Sequence, residues 1–212
     1  MTPSLWSMIS AKSVTTASAV RATYNMARQL IEDDVPGDFV ECGVYLGSHP
    51  AVMAHAIMEA GQVGKRKVHL FDSFQGIPMC SVKDQTWHQA QPLDRPIGVP
   101  GIAERTSSGI SVASRKEVEG KMRSWKVDAS ILVYHAGWYH DILPKAEIGP
   151  IALLRLDADL YESTRICMEY LYPKVVKDGW CICDDWTLDG CREAVSPYLL
   201  LNWVCPVYWR KP

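Results

Sequence analysis

Ile151-Ala-Leu-Leu-Arg-Leu-Asp-Ala-Asp-Leu-Tyr161 and Gly179-Trp-Cys-Ile-Cys-Asp-Asp-Trp186 decide how this chain is read. Each holds a short apolar strand, Pro150 to Leu156 and Trp180 to Cys183, that runs straight into aspartate. Set side by side, the two strands bring Asp157, Asp184 and Asp185 together at their carboxyl ends, where open α/β sheets bind ligands. Two carboxylates about 4 Å apart repel by roughly 4 kcal/mol at an effective dielectric near 20, so three of them call for a cation or a retained proton. Arg155 is expected to alternate away from Asp157 and to neutralise it poorly. An all-oxygen ligand set suits Mg²⁺, with Mn²⁺ or Ca²⁺ as alternatives, and disfavours zinc. Taken alone, Asp184-Asp185 reads as a helix-capping loop; Asp157 at the end of the preceding strand turns the reading to a metal site.

Outward from these strands the chain alternates strand and helix signals. Helical spacing of Val20, Tyr24, Ala27 and Ile31 follows Ser13 or Thr15 as a cap and stops before Pro36-Gly37, which makes residues 1–35 a helical arm. Strand Phe39 to Gly43, helix Ala51 to Ala60 and strand Val68 to Phe71 form a βαβ unit. Residues 76–112, rich in Pro, Gly, Gln and Ser and including Pro78, Pro92, Pro96 and Pro100, read as a lid or acceptor-binding loop. Ser114 to Glu117 is a capping box, and a strand Ser130 to His135 follows, closed by Gly137-Trp138. A helix from Ser163 to Val176 ends at Asp178-Gly179, and a short helix from Cys191 to Leu200 precedes a last strand at Pro206 to Arg210. Parallel neighbours need helical crossovers, so the class is doubly wound α/β.

With 212 residues and 48% hydrophobic content the chain is one domain. A net charge of −2 offers no basic footprint for nucleic acid; Gly64-Lys65-Arg66-Lys67 reads as a solvated turn. No apolar run reaches the roughly 18 residues of a membrane span, and the amino terminus lacks a signal-peptide pattern. Seven cysteines without a C-x-x-C pair fit a reducing cytoplasm, and the six histidines lack metal-ligand spacing.

Val40-Glu41-Cys42-Gly43-Val44-Tyr45-Leu46-Gly47 occupies the first strand-to-helix turn, where nucleotide-like cofactors bind. It lacks the G-x-G-x-x-G of a dinucleotide site. Its glycines let a ligand touch backbone, and Glu41 suits the sulfonium or amino group of S-adenosylmethionine. Asp72, ending the next strand, is placed to accept from two ribose hydroxyls.

The segments VECGVYLGS, LFDSFQGIP, GWYHDILP, LLRLDADLYEST, LYPKVVKDGWCICDDW and CREAV, spread from Val40 to Val195, resemble the macrocin O-methyltransferase (TylF/MycF) family of Mg²⁺- and S-adenosylmethionine-dependent sugar O-methyltransferases. The resemblance implies a Rossmann-like class I methyltransferase fold, a mostly parallel seven-stranded sheet flanked by helices. It implies Glu41, Gly43, Tyr45, Gly47, Ser48, Asp72 and Asp157 around the cofactor, Ser73 beside its ribose and Gly137-Trp138 near the adenine. Asp157, Asp184 and Asp185 would hold the metal, with Asp157 also the base and His140 assisting the acceptor proton. A saccharide or glycoside acceptor, natural-product biosynthesis and a homo-oligomer follow from the same resemblance, the apolar stripe of the first helix and Tyr208-Trp209 being the surfaces proposed for self-association. Ser48-His49-Pro50 and Ala158 depart from the family pattern.

Two rivals stand beside this reading. D-x-D at a strand end also serves Mn²⁺-dependent glycosyltransferases, although Asp159 is expected to face away or cap the next helix. A catalytically inactive relative is the other. Trp87, His88 and Trp138 are candidates for a sugar-stacking wall, and Asp141 for a helix cap.

Overall fold

The computed structural model describes residues 1–90, 97–199 and 208–212. The amino-terminal arm is two helices, α1 (Pro3–Ser10) and α2 (Ala17–Glu32), opened by the hydroxyls of Thr2 and Thr16. The cap of α2 is thus neither Ser13 nor Thr15, because Thr15 Oγ1 is engaged by His49 Nε2 at 2.9 Å. Then follow β1 (Asp38–Cys42), α3 (Ser48–Glu59), β2 (Val68–Asp72), α4 (Gln85–Ala90) within the irregular stretch, and α5 (Arg115–Ser124) behind the Ser114–Glu117 capping box. The second half runs β3 (Leu132–Ala136), α6 (Tyr139–Ile142), β4 (Ile151–Leu156), α7 (Tyr161–Leu171), β5 (Val175–Cys183), α8 (Asp189–Val195) and β6 (Tyr208–Arg210).

The sheet order is β3-β2-β1-β4-β5-β6, parallel except where β6 pairs antiparallel with β5. The described residues give six strands, not seven. The last described strand, β6, runs antiparallel beside β5. Strand order reverses between β1 and β4, and crevices in open α/β sheets form at such a point. Register levels the ends there: Cys42 pairs with Leu156, and Leu156 with Cys183. Gly43, Asp157 and Asp184 therefore leave the sheet at one height.

Two apolar layers clamp this sheet. Helices α1, α2, α3 and α5 cover one face, with Val20, Ala27 and Leu30 of α2 buried there. The apolar stripe of the first long helix is thus spent inside the molecule and is not a free interface. Helices α6, α7 and α8 cover the other face, where Cys42, Cys167, Cys181, Cys183 and Cys191 act as small core groups. Trp209 of the tail joins that core, whereas Tyr208 is exposed.

Helix α7 stops at Leu171, well before Asp178-Gly179. Val175 already pairs with Ile151, and Asp178 and Gly179 exchange backbone hydrogen bonds with Lys211, which draws this stretch into β5. Arg66 is another departure. It is 6% exposed, and its guanidinium caps the carbonyls of Gly37 and Val35, so within an otherwise exposed turn at Gly64-Lys65 this one side chain is an anchor.

Candidate active site at the strand switch point

Gly43 fixes how closely β1 approaches β4. It sits at φ +87, and a Cβ there would fall 1.6 Å from the Asp157 carbonyl oxygen. A side chain on Gly47 (φ +89) would likewise meet Met122 Cε at 2.6 Å. Both glycines make room for the chain itself, not only for a ligand.

The carboxylates of Asp157, Asp184 and Asp185 converge, one oxygen of each within 4.8 Å of the others. Arg155 stands among them, contrary to expectation: residues two apart on a strand share a face, so Arg155 and Asp157 project together. Its guanidinium, fully buried, bonds Glu41 Oε1 at 2.6 Å and Asp157 Oδ2 at 2.8 Å, and lies 2.8 Å from Asp184 Oδ1. Glu41, 1% exposed, is therefore turned toward Arg155, and this ion pair is the main use of its charge in the fold. Burial pushes the Glu41 carboxyl well up despite that partner.

One guanidinium does not balance the group. Burial, then the Asp157 charge, lifts Asp185 to about 7, and burial also raises Asp184 against the pull of Arg155. Asp159, at φ 60, does not face away. Its carboxyl borders the cleft, where burial and then Asp185 push it well up, and its amide donates to Asp185 Oδ2 at 2.9 Å. Such an oxygen-rich, under-neutralised set fits a hard divalent cation.

Beside the acids opens a cleft of about 730 Å³ including its mouth. Asp157 and Asp159 border it, as do Gly43, Tyr45, Asp72, Ser73, Gly137, Trp138 and His140. Asp184 and Asp185 lie outside that lining, and Glu41, Gly47 and Ser48 line a smaller recess beneath the arm, which Asp157 and Tyr45 share.

Several of these side chains carry structural duties. Asp72 accepts from the amides of Val44 (2.7 Å), Tyr45 (3.3 Å) and Phe74 (2.7 Å), so its carboxylate holds the β1 turn while bordering the cleft. Ser48 donates its hydroxyl to the Ile9 carbonyl at 3.0 Å, and Ser73 to the Gly76 carbonyl at 3.0 Å. His140 Nε2 lies 4.0 Å from Glu162, and burial, then Arg105, lowers its pKa.

Within the 76–112 stretch, Trp87 is 4% exposed and packs on Cys80 and Leu160, and His88 Nδ1 contacts Cys80 Sγ at 3.6 Å. Trp87 is thus a core residue of this stretch and not part of a wall with Trp138. Asp141 pairs with Arg105 at 2.9 Å and so ties the 76–112 stretch to α6. Residues 91–96, with Pro92 and Pro96, lie outside the described residues, as do Leu200 and Pro206. Sequence reasoning missed Arg155, Tyr139, Ile77 and Glu104 as neighbours of the site; only for Arg155 did the strand alternation hold a usable signal.

The switch-point crevice, the strand order and the antiparallel last strand define a Rossmann-like methyltransferase fold. The O-methyltransferase NovP structure superposes with a TM-score of 0.74 at 32% identity, over 94% of this chain and 82% of that one. The chain belongs to the macrocin-O-methyltransferase (TylF) family, whose model matches residues 6–204. Demethyldecarbamoylnovobiocin O-methyltransferase of Streptomyces niveus is 35% identical over 81% of this chain and 63% of its own length. 8-Demethyl-8-(2,3-dimethoxy-alpha-L-rhamnosyl)-tetracenomycin-C 4'-O-methyltransferase of Streptomyces olivaceus is 31% identical over 80% of this chain and 60% of its own. The chain thus spans less than two thirds of these two curated relatives.

Proposed function

We propose that this chain transfers the methyl group of S-adenosylmethionine to a hydroxyl of a sugar or glycosylated small molecule, with Mg²⁺ held by Asp157, Asp184 and Asp185. The observation that carries the reading is the convergence of three carboxylates at level strand ends beside the cleft. The relatives named above are O-methyltransferases, one of them named for a rhamnosyl group, and none supports the glycosyl-transfer alternative.

The cofactor would lie along the turn after β1, with its methyl directed to the mouth near Asp157. Displacement at a sulfonium requires the attacking oxygen, the methyl and the sulfur in line, and the cleft walls supply that alignment. Bound Mg²⁺ would supply Lewis-acid stabilisation of the acceptor alkoxide. Asp157, the one of the three acids that borders the cleft, accepts the acceptor's proton. Arg155 holds that carboxylate in place from below. His140, which lines the same cleft and whose pKa burial lowers, is the second acceptor of protons. A homo-oligomer belongs to this reading on the family's account, with surfaces other than α2.

Asp157→Asn tests it: turnover with a glycoside acceptor is expected to fall at least about a hundredfold, the scale of losing general-base assistance, while S-adenosylhomocysteine affinity stays within a few fold. Retained turnover would remove Asp157 as base. Absence of S-adenosylhomocysteine binding in the parent chain would remove the methyl-transfer reading itself.

A further inference from the structure

Three consecutive residues join the lid to the acid cluster. Asp159 donates its amide to Asp185 Oδ2 at 2.9 Å. Leu160, 3% exposed, packs against Trp87 and Cys80 of the lid. Tyr161 donates its amide to Asp84 Oδ1 at 2.6 Å and so starts α7 from a lid residue. Asp84 is itself 2% exposed and is oriented by the Ser81 amide and hydroxyl, at 2.8 and 2.7 Å on Oδ2. Gly190 of α8 leaves the space: a Cβ there would fall 2.4 Å from Asp84 Oδ1. Asp159 has a left-handed φ of 60, and the hydrogen bonds and packing on both of its flanks hold the turn in that shape.

We propose that Asp84 and Trp87 are positioning residues: the lid segment 81–87 clasps the 159–161 turn and, through the Asp159 amide, fixes the carboxylate of Asp185 in its metal-binding orientation. The inference rests on the metal site of the proposed function and assigns its control to the lid. Groups that orient a metal ligand from outside contribute about 10- to 100-fold to metal affinity, although they never touch the ion. Because the linkage is reciprocal, Mg²⁺ in turn steadies the lid.

The test is calorimetric titration of the full chain with MgCl₂ alone, and separately with S-adenosylhomocysteine, for the parent and four variants. Trp87→Ala and Asp84→Ala are expected to weaken Mg²⁺ binding about tenfold. Trp87→Phe, which refills the lid core around Leu160, recovers most of that loss. Arg105→Ala cuts a lid tether on the Asp141 side and leaves Mg²⁺ affinity unchanged. S-Adenosylhomocysteine affinity stays within about twofold in all four. Parent-like Mg²⁺ affinity in both Trp87→Ala and Asp84→Ala overturns the coupling, and so does an equal loss of both ligands, which assigns the residues to general folding. A parent chain that takes up S-adenosylhomocysteine but no Mg²⁺ overturns the metal site, and the coupling with it.

Discussion

Arg155 carries the heaviest electrostatic duty of any single side chain here. Its removal strands Glu41 as a buried carboxylate and returns Asp157 and Asp184 to mutual repulsion. Breaking a buried pair by deleting one partner costs about 3–5 kcal/mol, so Arg155→Met should lose that much in urea unfolding. Adding Glu41→Gln should recover part of it, and a purely additive double variant would show the two residues uncoupled. Asp185 gives a prediction in pH. Its folded pKa of about 7 stands above the unfolded value near 3.9, so the folded chain holds the extra proton between them. The carboxyl's contribution to stability is complete below about pH 4 and is lost as pH rises through about 7. Asp185→Asn removes that slope. Without metal, the Tm of the variant should exceed the parent's by a larger margin at pH 8 than at pH 5, and a constant margin would reject the shift.

At the level of elements, turns decide the site more than helices do. The β1 turn stands on Asp72, whose carboxylate gathers three amides, and on Gly43, whose missing side chain admits the Asp157 carbonyl. Gly61 provides the control, since it has φ +66 but open space around its Cα. Both Gly→Ala changes impose the same class of backbone strain. Gly43→Ala should therefore melt far lower than Gly61→Ala and lose S-adenosylhomocysteine binding; matching melts would show that the close approach relaxes. Capping boxes and strand ends were legible because their signals are local: Ser114 and Glu117 lie three apart, and each apolar strand names its own terminal acid. The roles of Asp72 and Trp87 were not, because Val44 and Tyr45 lie 28 and 27 residues from Asp72 along the chain, and Leu160 lies more than 70 from Trp87.

For the whole molecule, the switch point between β1 and β4 places the β1 turn, the acid cluster and residues of the 76–112 stretch around one crevice. A ligand at a hundredfold excess over its Kd adds about 2.7 kcal/mol, and about 2–4 °C of Tm accompanies each kcal/mol in a chain of this size. Saturating S-adenosylhomocysteine should then raise the Tm by about 5–10 °C. Mg²⁺ should raise it further at pH 8 than at pH 6, because Asp185 must give up its proton to bind. No helix among the described residues is long and apolar enough to cross a membrane.

By itself the sequence determined the order of elements, the parallel α/β class and the meeting of Asp157 with Asp184 and Asp185. Hydrophobic runs, caps and terminal acids are written in adjacent residues, and parallel pairing follows from the crossovers. Tertiary structure alone decided what those residues spend their charges on. Glu41 turns to Arg155, Asp72 to the backbone, Trp87 to Leu160, and the stripe of α2 to the core. The reason is physical: buried polar groups take whichever partner the fold brings within hydrogen-bond reach, and a linear pattern does not specify that neighbour.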